Sequence, residues 1–113
     1  MDMTVEDLGE AALCVALRGR MDTVGVDKVE SRFRAALAGS ARHAALDLGA
    51  VSFLSSMGVR MIIATARELK AQGRMLVLFG AQPLVLSTLK MVALDQIIPI
   101  VPDRAQAQAR LAA

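Results

Sequence analysis

Leu46-Asp47-Leu48-Gly49-Ala50-Val51-Ser52-Phe53-Leu54-Ser55-Ser56-Met57-Gly58-Val59-Arg60 is the stretch on which the fold turns. Ala44 to Leu48 reads as a brief strand apolar on both faces, which a sheet covered by helices requires. Gly49 to Leu54 reads as a loop. A helix is expected from about Ser56 to Gln72, with Val59, Ile62, Ile63, Ala66 and Leu69 as its core stripe and Gly73 as its C-cap. Strand, loop and helix in that order define a β-α unit, and such units build α/β layer folds.

The pattern extends in both directions. Thr4 to Leu8 and Ala11 to Leu17 read as two strands joined at Gly9-Glu10, with an antiparallel pairing expected. From Val24 to Ala38 the apolar positions Val26, Val29, Phe33 and Leu37 recur at helical spacing, and Gly39-Ser40 ends the helix. Met75 to Phe79 is a continuous apolar strand. Pro83 suits the first turn of a helix that runs to about Val92. Ile97 to Val101 reads as a last strand, which Pro99 confines to an edge. Asp103 can cap a final Ala/Gln helix. The expectation is an α/β fold with a mixed sheet of about five strands and about four helices, forming one domain over residues 1–113.

Composition narrows the function. Of 113 residues, 55% are apolar but only 3% aromatic, with no Trp or Tyr, so the core must be aliphatic. Net charge is +2, with basic and acidic residues interspersed. Without a Lys/Arg block or stacking aromatics, nucleic acid is not an expected partner. The N-terminus lacks a signal-peptide pattern, and no apolar run approaches the roughly 20 residues that cross a bilayer. Membrane insertion is therefore not expected, and the cytoplasm is the expected compartment. A single cysteine, Cys14, reads as a small core residue, no metal-ligand spacing occurs, and no cofactor is implied.

Candidate functional residues gather where the helix begins on two serines. First-turn amides lack intrahelical partners and the macrodipole places positive charge there, so a phosphate on Ser56 would sit in a favourable field. Serine is also a preferred N-cap, and either Ser55 or Ser56 could serve that purpose alone. Met57 and Met61, four apart, are expected on a different side of this helix from the core stripe. Leu84, Thr88 and Met91 form a similar line on the next helix, offset from Val85, Leu89 and Val92. These residues suit an adaptable docking surface, or alternatively fill gaps in an aliphatic core. Asp22 can cap the helix that follows it or act near Ser56. Asp47 is expected to bond to nearby backbone, and Arg60, Arg67 and Arg74 to lie on a solvated face.

A serine hydrolase shares the order strand, tight turn, serine, helix, but no glycine lies two residues before either serine. The sole histidine, His43, precedes the strand whose far end leads to Ser56. Five strand residues separate the two by roughly 17 Å, too far for proton transfer. No catalytic residue is assigned, and no phosphate-binding Gly-Lys-Ser/Thr loop occurs.

Taken in order, several motifs resemble the STAS domain family. Leu17-Arg18-Gly19-Arg20-Met21-Asp22 resembles its strand-end motif, and Asp47-Leu48 with Val51-Ser52-Phe53 its central strand and loop. Leu54-Ser55-Ser56-Met57-Gly58 stands in the place of its Asp-Ser-Ser/Thr-Gly signature, with Ser55 where the family usually has aspartate. Gln82-Pro83 and Leu94-Asp95-Gln96-Ile97-Ile98 resemble its C-terminal part. The resemblance implies an anti-sigma factor antagonist that binds an anti-sigma factor acting also as a serine protein kinase. A serine phosphatase would reset the switch. Ser56 aligns with the acceptor, Ser55 is the alternative acceptor, and Asp22 aligns with an aspartate near the site. Met57, Arg60, Met61, Leu84, Thr88 and Met91 are then the expected partner-binding residues. Some family members work without phosphorylation, as regulatory subunits of ABC-type transporters or other signalling complexes, and that reading stands as the alternative.

Overall fold

A computed structural model describes residues 1–112. Its elements run β1 (Asp2–Asp7), β2 (Ala12–Met21), α1 (Thr23–Ala38), β3 (His43–Leu54), α2 (Ser56–Ala71), β4 (Leu76–Phe79), α3 (Pro83–Met91), a 3-10 turn (Leu94–Gln96), β5 (Ile100–Val101) and α4 (Arg104–Leu111). The five strands form one sheet in the order β1-β2-β3-β4-β5, with β1 antiparallel to β2 and the remaining pairs parallel. This is the expected mixed sheet with four α-helices.

Strand alternation sorts side chains into two apolar layers. Val15 and Leu17 of β2, Leu46 and Leu48 of β3, and Leu76 and Leu78 of β4 pack with Val26, Val29, Phe33 and Leu37 of α1 and with α2 and α3. Cys14, Ala45, Val77 and Phe79 point to the other face, where Ala107 and Leu111 of α4 cover them. Cys14 is fully buried, and burial pushes its thiol pKa up, as suits a packing residue.

The segment Gly49 to Leu54, expected as a loop, is the second half of β3. It pairs with an extended β2 through Arg18↔Ala50, Gly19↔Val51, Arg20↔Phe53 and Met21↔Leu54. Between Ala16↔Asp47 and Met21↔Leu54, β2 advances five residues while β3 advances seven, so two extra residues bulge out of β3. The bulges space the buried Leu48, Val51 and Leu54 three apart, and that spacing hides the strand from an alternation test.

At the other edge β5 is shorter than expected. Leu94–Gln96 forms a 3-10 turn, and pairing is confined to Leu78↔Ile100 and Phe79↔Val101. Pro99 accepts from the Leu78 amide at 3.0 Å but has no N–H to return a bond, so the ladder stops there. Val92, expected in line with the core, is the C-cap of α3 and is exposed.

Helix α2 ends with Gly73 in the left-handed region, at φ +71°. The Gly73 amide donates to Lys70 and the Arg74 amide to Leu69, a Schellman closure. Arg74 does not join a solvated face. It is 8% exposed and donates to the carbonyls of Arg42 (2.7 Å) and Leu37 (3.0 Å) and to Gln72 Oε1 (2.9 Å). The guanidinium thereby clasps the end of α1, the approach to β3 and the end of α2. Hydrogen bonds from a charged donor contribute about 1.5–3 kcal/mol each, less the rehydration of carbonyls that water can reach. Arg74→Met is expected to lower unfolding free energy by about 2–3 kcal/mol in urea denaturation, while exposed Arg67→Met changes it by no more than about 0.5 kcal/mol. Equal effects would refute the clasp.

Candidate functional site

The site is built where two parallel strands end side by side and a helix starts from each. Asp22, just past Met21 of β2, is the N-cap of α1: its Oδ1 accepts from the Gly25 amide at 2.8 Å. That amide bond holds the Asp22 carboxyl below the usual carboxylate range, helped by Arg20, whose Nε lies 3.4 Å from Oδ2. Ser55, just past Leu54 of β3, is the N-cap of α2: its Oγ accepts from the Gly58 amide at 3.2 Å. Both helices use the same local code, a capping side chain three residues before a glycine.

The glycines are there because the helices start hard against β2. A Cβ at Gly25 would lie 2.1 Å from the Arg20 carbonyl oxygen. At Gly58 it would lie 2.7 Å from Leu54 Cδ1 and 3.1 Å from both Cβ and O of Met21. Neither position has room for a side chain. Met21 also anchors the second helix through its carbonyl, which accepts from the Ser55 amide at 2.9 Å and from Ser55 Oγ at 2.6 Å.

This geometry separates the two serines. Ser55 Oγ is committed as donor to Met21 and acceptor from Gly58, in a partly buried position. Ser56 is the first residue of α2, is exposed, and makes no side-chain hydrogen bond among the described residues. The first intrahelical bond runs from the Val59 amide to the Ser55 carbonyl, so the amides of Ser56 and Met57 precede the helical ladder. Asp22 sits one residue from the Met21 anchor in its capping role.

The other expected site residues divide. Arg60 is exposed on α2, and Leu84 (65% exposed) and Met91 (81%) stand out from α3. Met57 and Thr88 are half-buried, and Thr88 Oγ1 donates to the Leu84 carbonyl at 3.2 Å. Met61 is corrected: at 2% exposure it belongs to the core, because Gly58 draws that side of α2 onto the sheet. The buried stripe is Gly58, Met61, Ile62, Thr65 and Leu69, while Val59, Ile63 and Ala66 are partly exposed. Gln82 Nε2 donates to the Gly49 carbonyl at 2.9 Å and ties the start of α3 to the same end of the sheet.

Sequence reasoning left out three residues beside the site. Arg20 stacks over the Phe53 ring, 4.4 Å from guanidinium carbon to ring centroid, on paired positions of β2 and β3. Val24, in the first turn of α1, is 62% exposed. The available signal was the motif Asp22-Thr23-Val24-Gly25, which parallels Ser55-Ser56-Met57-Gly58. His43 begins the 12-residue β3 and Ser56 follows its end, so they lie at opposite ends of the sheet. His43 Nδ1 accepts from the Met75 amide at 2.9 Å. Asp47 Oδ1 accepts from the Gly49 amide at 2.9 Å, the expected backbone bond.

Fold and motif now meet known proteins. The STAS domain family model matches residues 3–107, and the chain belongs to that family. It is 26% identical over 109 residues to BtrV of Bordetella bronchiseptica, named an anti-sigma factor antagonist, covering 96% of this chain and 93% of that protein. An anti-sigma factor antagonist from Mycobacterium paratuberculosis superposes with a TM-score of 0.88 at 25% identity, covering 99% of this chain and 94% of that one. The anti-sigma factor antagonist SpoIIAA in its unphosphorylated form shares the fold, with a TM-score of 0.75 at 19% identity over 99% of both chains. These relatives carry the name of anti-sigma factor antagonists, which are regulators. No helix among the described residues is long and apolar enough to cross a membrane.

The division between the serines is testable by stability. Ser55→Ala removes a cap and a partly buried hydrogen bond, and is expected to cost about 1–2 kcal/mol in chemical denaturation. Ser56→Ala is expected to stay within about 0.5 kcal/mol of the parent. The reverse order would show that Ser56 is the cap.

Proposed function

We propose that residues 1–113 act as one cytoplasmic anti-sigma factor antagonist whose partner binding is switched at Ser56. In the unmodified state the protein binds an anti-sigma factor that is also a serine protein kinase. The kinase transfers the γ-phosphoryl group of ATP to Ser56 Oγ, ADP leaves, and the complex separates. A serine phosphatase hydrolyses the ester and restores the binding form. The observation that carries this reading is the free, exposed hydroxyl of Ser56 beside a serine whose own hydroxyl is consumed by capping.

The electrostatics support a switch. A phosphoserine adds about −1.5 to −2 charges and three acceptor oxygens. At the first residue of α2 these meet the positive end of the helix dipole, so the fold accepts the modification. A docked partner does not accept it so readily. Arg60, Leu84 and Met91 offer exposed contact area, with Met57 and Thr88 half-buried beside it. Burying an uncompensated charge at such a surface costs about 3–5 kcal/mol, which is a loss of about 100-fold or more in affinity.

The experiment is to incubate the protein with its cognate kinase and ATP and to locate phosphate by mass spectrometry. Phosphate on Ser56 is expected, and it should persist in Ser55→Ala. Ser56→Asp should weaken partner binding by about 100-fold and Ser56→Ala should retain it, while Leu84→Glu should weaken binding without altering the fold. Phosphate on Ser55 alone would overturn the assignment. Partner binding with phosphate on neither serine would support the alternative, an unphosphorylated regulatory subunit of a transporter or signalling complex, which Ser55 in place of the usual aspartate also favours.

A further inference from the structure

The amino end of the parallel strands, opposite Ser56, holds a second feature. A cavity of about 730 Å³ opens there between the last turns of α2, the starts of β3 and β4, and the end of α4. Its existence follows from the short β5. Because pairing begins only at Leu78, the edge of β4 at Leu76 is left without a strand beside it. The cavity lies within the roughly 300–1,000 Å³ range of small-molecule sites.

Its lining combines two chemistries. Leu76, Ile97 and Leu111 are among the residues that give it an aliphatic interior, and Ile97 is 64% exposed at this surface. Arg67, Lys70 and Arg110 supply positive charge, and none of the three has an ion-pair partner among the described residues. No Asp or Glu is among the lining residues. In a chain of net charge +2, this is a local concentration of unpaired cations around an apolar hollow. The dipole at the end of α2 would oppose an anion, but the Schellman bonds to Leu69 and Lys70 already occupy its terminal carbonyls. None of Phe33, Phe53 and Phe79 lines the cavity, and the imidazole that does, His43, is tied to the Met75 amide through Nδ1.

We propose that this cavity binds a free alkyl carboxylate of medium chain length, the hydrocarbon against Leu76, Ile97 and Leu111 and the carboxylate between Arg67, Lys70 and Arg110. A concave hollow suits a molecule that inserts its tail, whereas a flat basic patch would suit a membrane surface. The site is independent of Ser56 and of the partner switch.

The test uses isotopically labelled full-length protein titrated with sodium decanoate below its micelle-forming concentration, followed by amide chemical shifts. Saturable shifts are expected at Ala66 to Gly73, Leu76 and Leu111, with none at Ser56 or Met57. The double variant Arg67→Gln/Lys70→Gln should bind about tenfold or more weakly while its remaining spectrum is unchanged, since both residues are exposed. Decanol and inorganic phosphate should each bind more weakly than decanoate. The proposal is overturned if decylammonium or phosphate alone binds as tightly as decanoate, or if the double variant binds normally. Binding to anionic phospholipid vesicles with none to monomeric decanoate overturns it as well.

Discussion

The carbonyl of Met21 is the point on which the candidate site depends. It terminates β2 and accepts two hydrogen bonds from Ser55, one from the amide and one from the hydroxyl. Those bonds pin the start of α2 to the end of a neighbouring strand, and Gly58 allows the first turn to come down onto Met21 without a side chain between them. A larger residue at that position would lift the helix off the sheet and turn Ser56 away from its present place. The cap and the close glycine recur one strand over, where Asp22 caps α1 and Gly25 sits against the Arg20 carbonyl. Two helices therefore begin at one end of the sheet, and Gln82 ties the start of α3 to the same end through the Gly49 carbonyl.

Fixing the helix start also divides the labour of the serine pair. A hydroxyl that both donates to a main-chain carbonyl and accepts from a main-chain amide has little freedom to meet a kinase. The neighbouring hydroxyl, one residue further into the helix, has no such obligations. A cap and an exposed hydroxyl placed side by side allow modification of one without loss of the other. A carboxylate at position 55 could accept from the Gly58 amide but, having no proton, could not donate to the Met21 carbonyl as the Ser55 hydroxyl does. Serine therefore caps the helix, donates to the neighbouring strand and places no negative charge beside Ser56.

Much of this was legible in the sequence because the relevant signals are local. Val26, Val29, Phe33 and Leu37 lie on the buried side of α1 as their spacing requires. The β-α unit around Asp47, the glycine after α2 and the aspartate cap of α4 also follow from short-range rules. The failures share a different cause. The second half of β3 was hidden because its bulges depend on pairing with β2, a partner more than thirty residues away in the chain. The facing of α2 was rotated because Gly58 packs on Met21, a contact that no helical-wheel argument contains, and Met61 went to the wrong side with it. Arg74 was misplaced because a guanidinium resembles a surface group until its acceptors are known, and these lie at Leu37 and Arg42. Long-range contacts decide each of these cases.

The same division explains why a switch can sit on this fold at small cost to it. The contacts that hold α2 in place include the Met21 carbonyl and Gly58 at its start, the core positions Ile62 and Leu69 beneath it, and the Schellman closure at its far end. Ser56 takes part in none of these. A charge added there changes the surface presented at the helix start and leaves the packing energy of the domain nearly unaltered. A ligand or partner shifts a state only through a differential interaction with it. In the proposed switch the difference between modified and unmodified forms would reside outside the core, where a partner would sense it by contact. The two bonds to the Met21 carbonyl would then give the proposed modification a defined position for a partner to read.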